Sequence, residues 1–292
     1  NGFKDYKDLS SIFLNFKNKL NSLKKKKYLV AVSGGPDSLA LVALTIAYTF
    51  SKKTKFYYIL VDHNIRKNST QEAKKVKSLL KKKYLNLKIL LNKKKITKNI
   101  QAEARNARYN IITNFCKINN IKVILTAHNL EDQVETFLIR LSRGSGLKGL
   151  SAMKSQTKIN NRVSLFRPLL DTQKQFLVKI SKIIFGKYFI DPSNKDQKYL
   201  RTKVRNLKKP LEKSGIKYEK IFKSIQNLSQ SEKTLDSYLS NIFKEFIKMS
   251  NSEILINFKK YKVLNTDIKI ALINHSIKQL KSNYYDLRSK KV

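Results

Sequence analysis

Residues 33–38 read Ser33-Gly34-Gly35-Pro36-Asp37-Ser38, directly after the apolar run Leu29-Val30-Ala31-Val32 and before a second run, Leu39 to Phe50. Two adjacent glycines let a backbone turn tightly and approach a ligand closely. Backbone N–H groups at a helix start favour bound phosphate, and Ser33 and Ser38 add hydroxyl donors. Asp37 repels phosphate by itself, but a carboxylate there can hold a Mg²⁺ ion that bridges phosphate oxygens. No Gly-Lys-Ser/Thr follows, so this is not a Walker A loop.

Four other segments carry chemistry-bearing residues at suggestive spacings. The first is Val61-Asp62-His63-Asn64-Ile65-Arg66, and the second is Ala104-Arg105-Asn106-Ala107-Arg108-Tyr109. The third runs from Thr126-Ala127-His128 through Asp132, Glu135 and Thr136 to Arg140–Gly146. The fourth is Asp191-Pro192-Ser193-Asn194, followed by Arg201 and Arg205. His128, Asp132 and Glu135 stand at i, i+4 and i+7, one face of a helix. Arg105 and Arg108 share a face at i, i+3, as do Arg201 and Arg205 at i, i+4.

Alternating strands and helices must position these residues. Leu29–Val32, Phe56–Val61, Leu87–Leu91 and Val123–Thr126 are apolar runs of strand length. Leu39–Phe50, Ser69–Tyr84, Ile100–Asn119 and about 129–142 are helical between and after them, with Ser69-Thr70-Gln71-Glu72 resembling a capping box. The pattern predicts an α/β fold, a doubly wound and mainly parallel sheet covered on both faces. Ligands in such sheets sit at the carboxyl ends of the strands. Ser33, Asp62-His63 and Ala127-His128 all lie just past a strand end and are expected to converge on one crevice. Beyond Gly144, Arg162–Leu170 reads as an added edge strand, and Gln173–Phe185 and Tyr199–Glu212 as helices. Past Pro210, Tyr218–Met249 and Thr266–Leu280 read as Lys-rich amphipathic helices. The expected organisation is a catalytic domain over 1–211 and a small helical domain over 212–292.

Composition narrows the function classes. The chain of 292 residues is 41% hydrophobic, enough for a real core, and carries a formal charge of +42. Such a surface attracts polyanions, and phosphate backbones are the commonest. Lysine supplies most of the charge, and a compositional bias toward Lys would do the same. The scarce arginines are therefore more informative, because their planar forks suit phosphate and base edges. Eight of the ten (Arg66, Arg105, Arg108, Arg140, Arg143, Arg167, Arg201 and Arg205) lie in the segments singled out here or beside them. Cys116 is the only cysteine, which leaves no intrachain disulfide, CxxC pair or cysteine-held cluster and fits a reducing, cytoplasmic compartment. No apolar run approaches the ~18 residues of a membrane span. The chain begins with Asn1 rather than Met and ends at Lys291-Val292 without a stop signal, so an extension at either end is expected.

The hexapeptide resembles the SGGxDS signature of PP-loop ATP pyrophosphatases, which split ATP into AMP and pyrophosphate and adenylate an oxygen of the substrate. With the four further segments, residues 28–213 resemble the tRNA(Ile)-lysidine synthetase branch of that family. The resemblance implies a ligase that uses ATP and Mg²⁺. It adenylates C2 of the wobble cytidine of a tRNA(Ile) with a CAU anticodon and then couples L-lysine there, changing codon reading from AUG to AUA. It implies a phosphate cradle of Ser33, Gly34, Gly35, Pro36, Asp37 and Ser38, with Asp37 on the metal and Asp62 and His63 beside the adenine and ribose. His128, Asp132, Glu135 and Arg108 become catalytic candidates, the two acids holding the cationic lysine or taking its proton, with Asp132 favoured by the helical spacing. Arg105, Arg108, Arg143, Arg201 and Arg205 become candidates for tRNA contact, and Arg143–Gly149 for a flap. The chain departs from the family pattern at Asn129, where a second His is expected. No membrane is implied, and a homodimer is compatible with the resemblance. Thiolating relatives need paired cysteines that one Cys116 cannot supply. Small-molecule amidating ligases do not need so basic a surface. A non-catalytic RNA-binding protein would not need the intact hexapeptide.

Overall fold

The computed structural model describes residues 7–64, 68–92, 100–190, 197–198, 200–250 and 253–280. Ile65-Arg66 and the Asp191–Asn194 segment lie outside the described residues. By internal contacts the chain divides into two units, one of residues 1–145 and 152–225 and one of 146–151 and 226–292.

The first unit is built on a six-stranded sheet in the order β3-β2-β1-β4-β6-β5. Its strands are β1 (Lys27–Ala31), β2 (Lys55–Asp62), β3 (Leu87–Leu91), β4 (Val123–Leu125), β5 (Gln156–Lys158) and β6 (Ser164–Phe166). The first five in sheet order are mutually parallel, and β5 is antiparallel to β6. The mainly parallel, doubly wound sheet expected from the alternation is present. Alternate side chains feed two cores, as the two-residue period of a strand requires. Val30, Tyr58, Leu60, Val123 and Leu125 pack on one face with helices α1 (Lys7–Leu23), α2 (Pro36–Thr49), α3 (Ser69–Lys81) and α7 (Lys174–Phe185). Leu29, Ile59, Ile124 and Leu165 pack on the other with Ile112 and Cys116 of α4 (Ile100–Ile118). Burial pushes the Cys116 thiol up to about 12, so it is an inert core residue.

Several expectations shift. The strand read at 162–170 is β6, and it lies inside the sheet, paired in parallel with β4; the edge belongs to β5. The helix read at 199–212 is two helices, α8 (Leu200–Asn206) and α9 (Lys208–Lys213). Pro210 has no N–H to donate and its ring crowds the preceding turn, which breaks the helix at Leu207. The capping box read at Ser69 is absent, since the N-cap is the preceding residue, Asn68, which makes no side-chain cap bond.

The boundary between the units falls within α10 (Tyr218–Phe246). The second unit, which also holds the short helix α6 (Leu147–Leu150), continues with a two-stranded antiparallel hairpin, β7 (Ile247–Met249) with β8 (Ile254–Ile256), which sequence alternation does not reveal. Helices α11 (Phe258–Lys262) and α12 (Thr266–Leu280) follow. No helix among the described residues is long and apolar enough to cross a membrane.

Candidate active site

The sheet order places β1 between β2 and β4, and the connecting helices change face there, α2 and α3 packing on one side and α4 on the other, so the carboxyl ends of β1 and β4 form the crevice of a doubly wound sheet. The 33–35 turn leaves β1 there and the 126–129 turn leaves β4.

Gly34 holds φ at +83°, a left-handed conformation that favours glycine. A Cβ on it would come within 2.5 Å of the Val76 side chain on α3. The Phe189 N–H donates to the Gly34 carbonyl at 2.9 Å, so a strap from beyond α7 fixes the turn from outside. Ser38 draws the loop together from inside. Its hydroxyl accepts from the Ser33 N–H at 3.2 Å, lies 3.1 Å from the Ser33 hydroxyl and donates to the Gly35 carbonyl at 2.9 Å. The N-cap of α2 is Gly35, which has no side chain to cap the first-turn amides. Those amides form a natural anion site at the positive end of the helix dipole.

Asp37 stands in that first turn. Desolvation, only partly offset by Lys174, pushes its carboxyl up to about 6, and the Asp132 charge adds to the rise. Its Oδ2 lies 3.9 Å from Lys174 Nζ, while its buried Oδ1 has no hydrogen-bond partner among the described residues. A buried carboxylate oxygen without a partner, beside an anion site, suits a hard divalent cation.

The second turn starts α5 (Leu130–Leu141) with a reciprocal cap. Asn129 Oδ1 accepts from the Asp132 N–H at 3.0 Å, and Asp132 Oδ2 accepts from the Asn129 N–H at 3.1 Å. Asn129 therefore has a local structural role where a second His was expected. His128 lies 3.0 Å from Thr126 Oγ1 through Nδ1. Desolvation, then the charges of Arg167, Arg201, Arg105 and Arg108, push its imidazole down to about 3, so it is neutral at physiological pH.

The acids of α5 do not stand free. Glu135 is 2% exposed. It accepts from Arg201 Nε at 2.8 Å and from Arg205 Nε and Nη2 at 2.7 and 3.0 Å. Asp132 Oδ1 accepts from Arg201 Nη2 at 2.9 Å. Arg201 and Arg205 thus share one face of α8, as their spacing predicts, and they turn that face toward α5. Glu131 Oε2 accepts from the Lys174 N–H at 2.9 Å and its Oε1 sits 3.1 Å from Lys208 Nζ, so it caps the start of α7 and sets Lys174 beside Asp37.

Asp62 ends β2 with both oxygens engaged, by the Asn64 N–H at 2.9 Å and the Thr70 hydroxyl at 2.7 Å. Burial works to raise its carboxyl, but these bonds bring it below the ordinary range. His63 Nε2 accepts from Arg108 Nε at 3.1 Å. Desolvation and the Arg108 charge push His63 down to about 4, and its Nδ1 is buried without a partner among the described residues. Arg105 lies over the Tyr109 ring, 5.1 Å from its centroid. Arg143 is exposed in the turn after α5. Spacing does not mark Lys174, Arg167 or Phe189 as site residues. Lys174 is one of many lysines, and nothing local marks it as the one that faces Asp37.

A family model described as a PP-loop domain matches residues 9–211. The chain belongs to the PP-loop family. This is an ATP-using family, and the Ser33–Ser38 loop lies within the matched PP-loop region. The chain is 36% identical over 281 residues to a tRNA(Ile)-lysidine synthase of Wolbachia pipientis wMel, covering 94% of this chain and 65% of that protein. It is 42% identical over 186 residues to a protein of the same name from Orientia tsutsugamushi (strain Boryong), covering 63% of this chain and 42% of that protein. The chain thus spans less than two thirds of the length of these relatives. Among solved structures, the U34-tRNA thiolase NcsA from Methanococcus maripaludis with its [4Fe-4S] cluster superposes with a TM-score of 0.63 at 18% identity, over 76% of this chain and 80% of that one. At that identity the likeness concerns the PP-loop fold alone.

Proposed function

We propose that the chain ligates L-lysine to C2 of the wobble cytidine of a tRNA(Ile) with a CAU anticodon, converting ATP to AMP and pyrophosphate. The observation that carries the reading is Asp37 Oδ1, without a hydrogen-bond partner among the described residues, at an uncapped helix start and facing an α5 whose Asp132 charge reaches it. Relatives named for this reaction match most of the chain.

In this reading Ser33, Gly34, Gly35, Pro36 and Ser38 cradle the ATP phosphates, and Lys174 adds a cation beside them. Asp37 would hold Mg²⁺, which supplies charge neutralisation at the phosphates. The cytidine O2 attacks the α-phosphorus and pyrophosphate leaves. The lysine ε-nitrogen then attacks C2, AMP leaves with the oxygen, and the proton lost by the amine goes to a carboxylate. Asp132 is the better acceptor. Its carboxylate has about four acceptor sites and two are in use here. Glu135 accepts three arginine bonds and acts by holding Arg201 and Arg205 in place. His128 contributes as a neutral hydrogen-bonding group. Arg108 and Arg105 flank the crevice on the α4 side for RNA contact, and Asp62 and His63 support that wall. Residues 1–211 form the catalytic part, and the basic region 212–292 binds tRNA, in a cytoplasmic protein.

The test combines protein, ATP, Mg²⁺, labelled lysine and a CAU-anticodon tRNA(Ile). Lysine-labelled tRNA with one pyrophosphate released per lysine is the expected result. Pyrophosphate release without labelled tRNA would assign the loop correctly and the acceptor wrongly.

A further inference from the structure

A cavity of about 440 Å³ opens between the first half of α4 and the β5–β6 hairpin. Its size falls in the range of small-ligand sites, ~300–1,000 Å³. It shares no lining residue with the 33–38 loop or with Asp132 and Glu135.

Its chemistry is unusual for an incidental cleft. Arg167 is 6% exposed. It follows β6, whose Phe166 carbonyl accepts from the Thr126 N–H, so Arg167 is anchored beside the 126–129 turn. Its Nη1 donates to the Lys154 carbonyl at 2.7 Å and to Thr157 Oγ1 at 2.9 Å, while Nε has no hydrogen-bond partner among the described residues. Arg105, the second guanidinium on the cavity, lies over the Tyr109 ring. Among the described residues the lining contains no Asp or Glu. A buried guanidinium without a counter-ion among the described residues, next to another guanidinium, calls for an anion. Ile159 and Leu165 supply an apolar wall, Tyr109 an aromatic face, and Asn106 an amide that can read a base edge.

We propose that this cavity binds one nucleotide of the single-stranded anticodon loop other than the modified cytidine. Its phosphate sits on Arg167 and Arg105, and its base lies against Tyr109, Ile159 and Leu165. The inference rests on the RNA-modifying reading above. The reacting cytidine must lie against the α-phosphate of ATP at the 33–38 loop, so a cavity lined by other residues takes a different nucleotide. Holding a neighbour of the target splays the loop and fixes the register of the target in the crevice.

The test is equilibrium binding of a CAU anticodon stem-loop RNA in which each loop nucleotide in turn is made abasic. It uses the full chain and two variants, Arg167→Lys and Asn106→Leu, the second on the exposed side of α4 and harmless to the core. ATP-induced thermal stabilisation checks that each variant is folded with a working phosphate loop. Removing one particular base outside the modified position should weaken binding to the unaltered chain about tenfold. The same removal should weaken binding to the variants much less. Equal losses in all three proteins at every position overturn the proposal, and so does coupling confined to the modified cytidine. A parallel measurement follows labelled L-lysine without RNA. Lysine binding lost in Arg167→Lys, with no nucleotide coupling, would assign the cavity to the amino-acid carboxylate instead and also overturn it. Because the readout is binding, failure of lysine incorporation with coupling intact would sink the proposed reaction and leave the cavity's role standing.

Discussion

Asp37 is the residue on which the proposed chemistry depends most. Its carboxyl is held up to about 6 by desolvation, so in the free protein it becomes fully charged only above that pH. Mg²⁺-dependent nucleotide binding is expected to strengthen as pH rises through 6 and to level off above 7, and isothermal titration across pH 5–8 reads this directly. Asp37→Asn should remove both the pH dependence and turnover while leaving RNA affinity nearly unchanged. The histidines act on stability with the opposite sense. His63 and His128 are held down to about 4 and about 3, below the ordinary value near 6.5 that they recover on unfolding. The unfolded chain therefore takes up protons first as pH falls, and stability is lost from about 6.5 downward. Asp37 opposes this between 6 and its ordinary value near 4, but two histidines outweigh one carboxyl. Denaturant midpoints should fall between pH 7 and 5, and less so in His128→Gln.

At the scale of elements, the crevice depends on contacts that pin one helix start to another segment. Gly34→Ala places a methyl group against Val76 at a left-handed backbone, so α3 or the Phe189 strap must move. The expected outcome is loss of ATP-induced thermal stabilisation together with a destabilisation of about 1–3 kcal/mol, since strained φ/ψ and steric clash act together. The α5–α8 pair is held by Glu135 against Arg201 and Arg205. Breaking a fully buried pair costs about 3–5 kcal/mol. These guanidiniums are 42% and 34% exposed, so Glu135→Ala should cost less, about 2 kcal/mol in urea unfolding. If Glu135 works through these arginines, Glu135→Gln should retain part of the activity that Glu135→Ala loses. Equal and complete loss in both would point to direct contact with substrate.

At the scale of the molecule, the formal charge of +42 sets how the chain meets RNA. Neutralising several phosphates releases counterions, so log affinity should fall linearly with log salt. Raising salt from 50 to 200 mM should weaken tRNA binding by about 10³-fold if roughly six phosphates are neutralised. A shallow slope, measured by filter binding, would mean the lysines form a solvated surface rather than a footprint.

The α/β alternation, the parallel sheet and the glycine turn at 33–38 were legible because each depends on local pattern: apolar runs at strand length, glycines at a βα turn, and the 3.6-residue period. The family signature in residues 28–213 was legible for the same reason. The hairpin β7–β8 was hidden because three-residue strands within a Lys-rich stretch leave no alternation to read. The break at Leu207 is local and is written in Pro210, which cannot donate a helical N–H. The partners of the acids were beyond any local pattern. Spacing put Asp132 and Glu135 on one face, and Arg201 and Arg205 on another. Only the packing of α8 against α5 turned the second pair onto the first, leaving Asp132 with spare acceptor capacity and Glu135 largely occupied. Lys174 at Asp37, Phe189 at Gly34 and the Arg167 cavity likewise arise from residues far apart in the chain. Sequence by itself determined the loop, the sheet and the charge, because short-range sterics and hydrophobic periodicity dictate them. Tertiary structure alone decided which acid keeps open acceptor sites and that the buried Arg167 has no counter-ion among the described residues, because those depend on what long-range packing brings within about 3 Å.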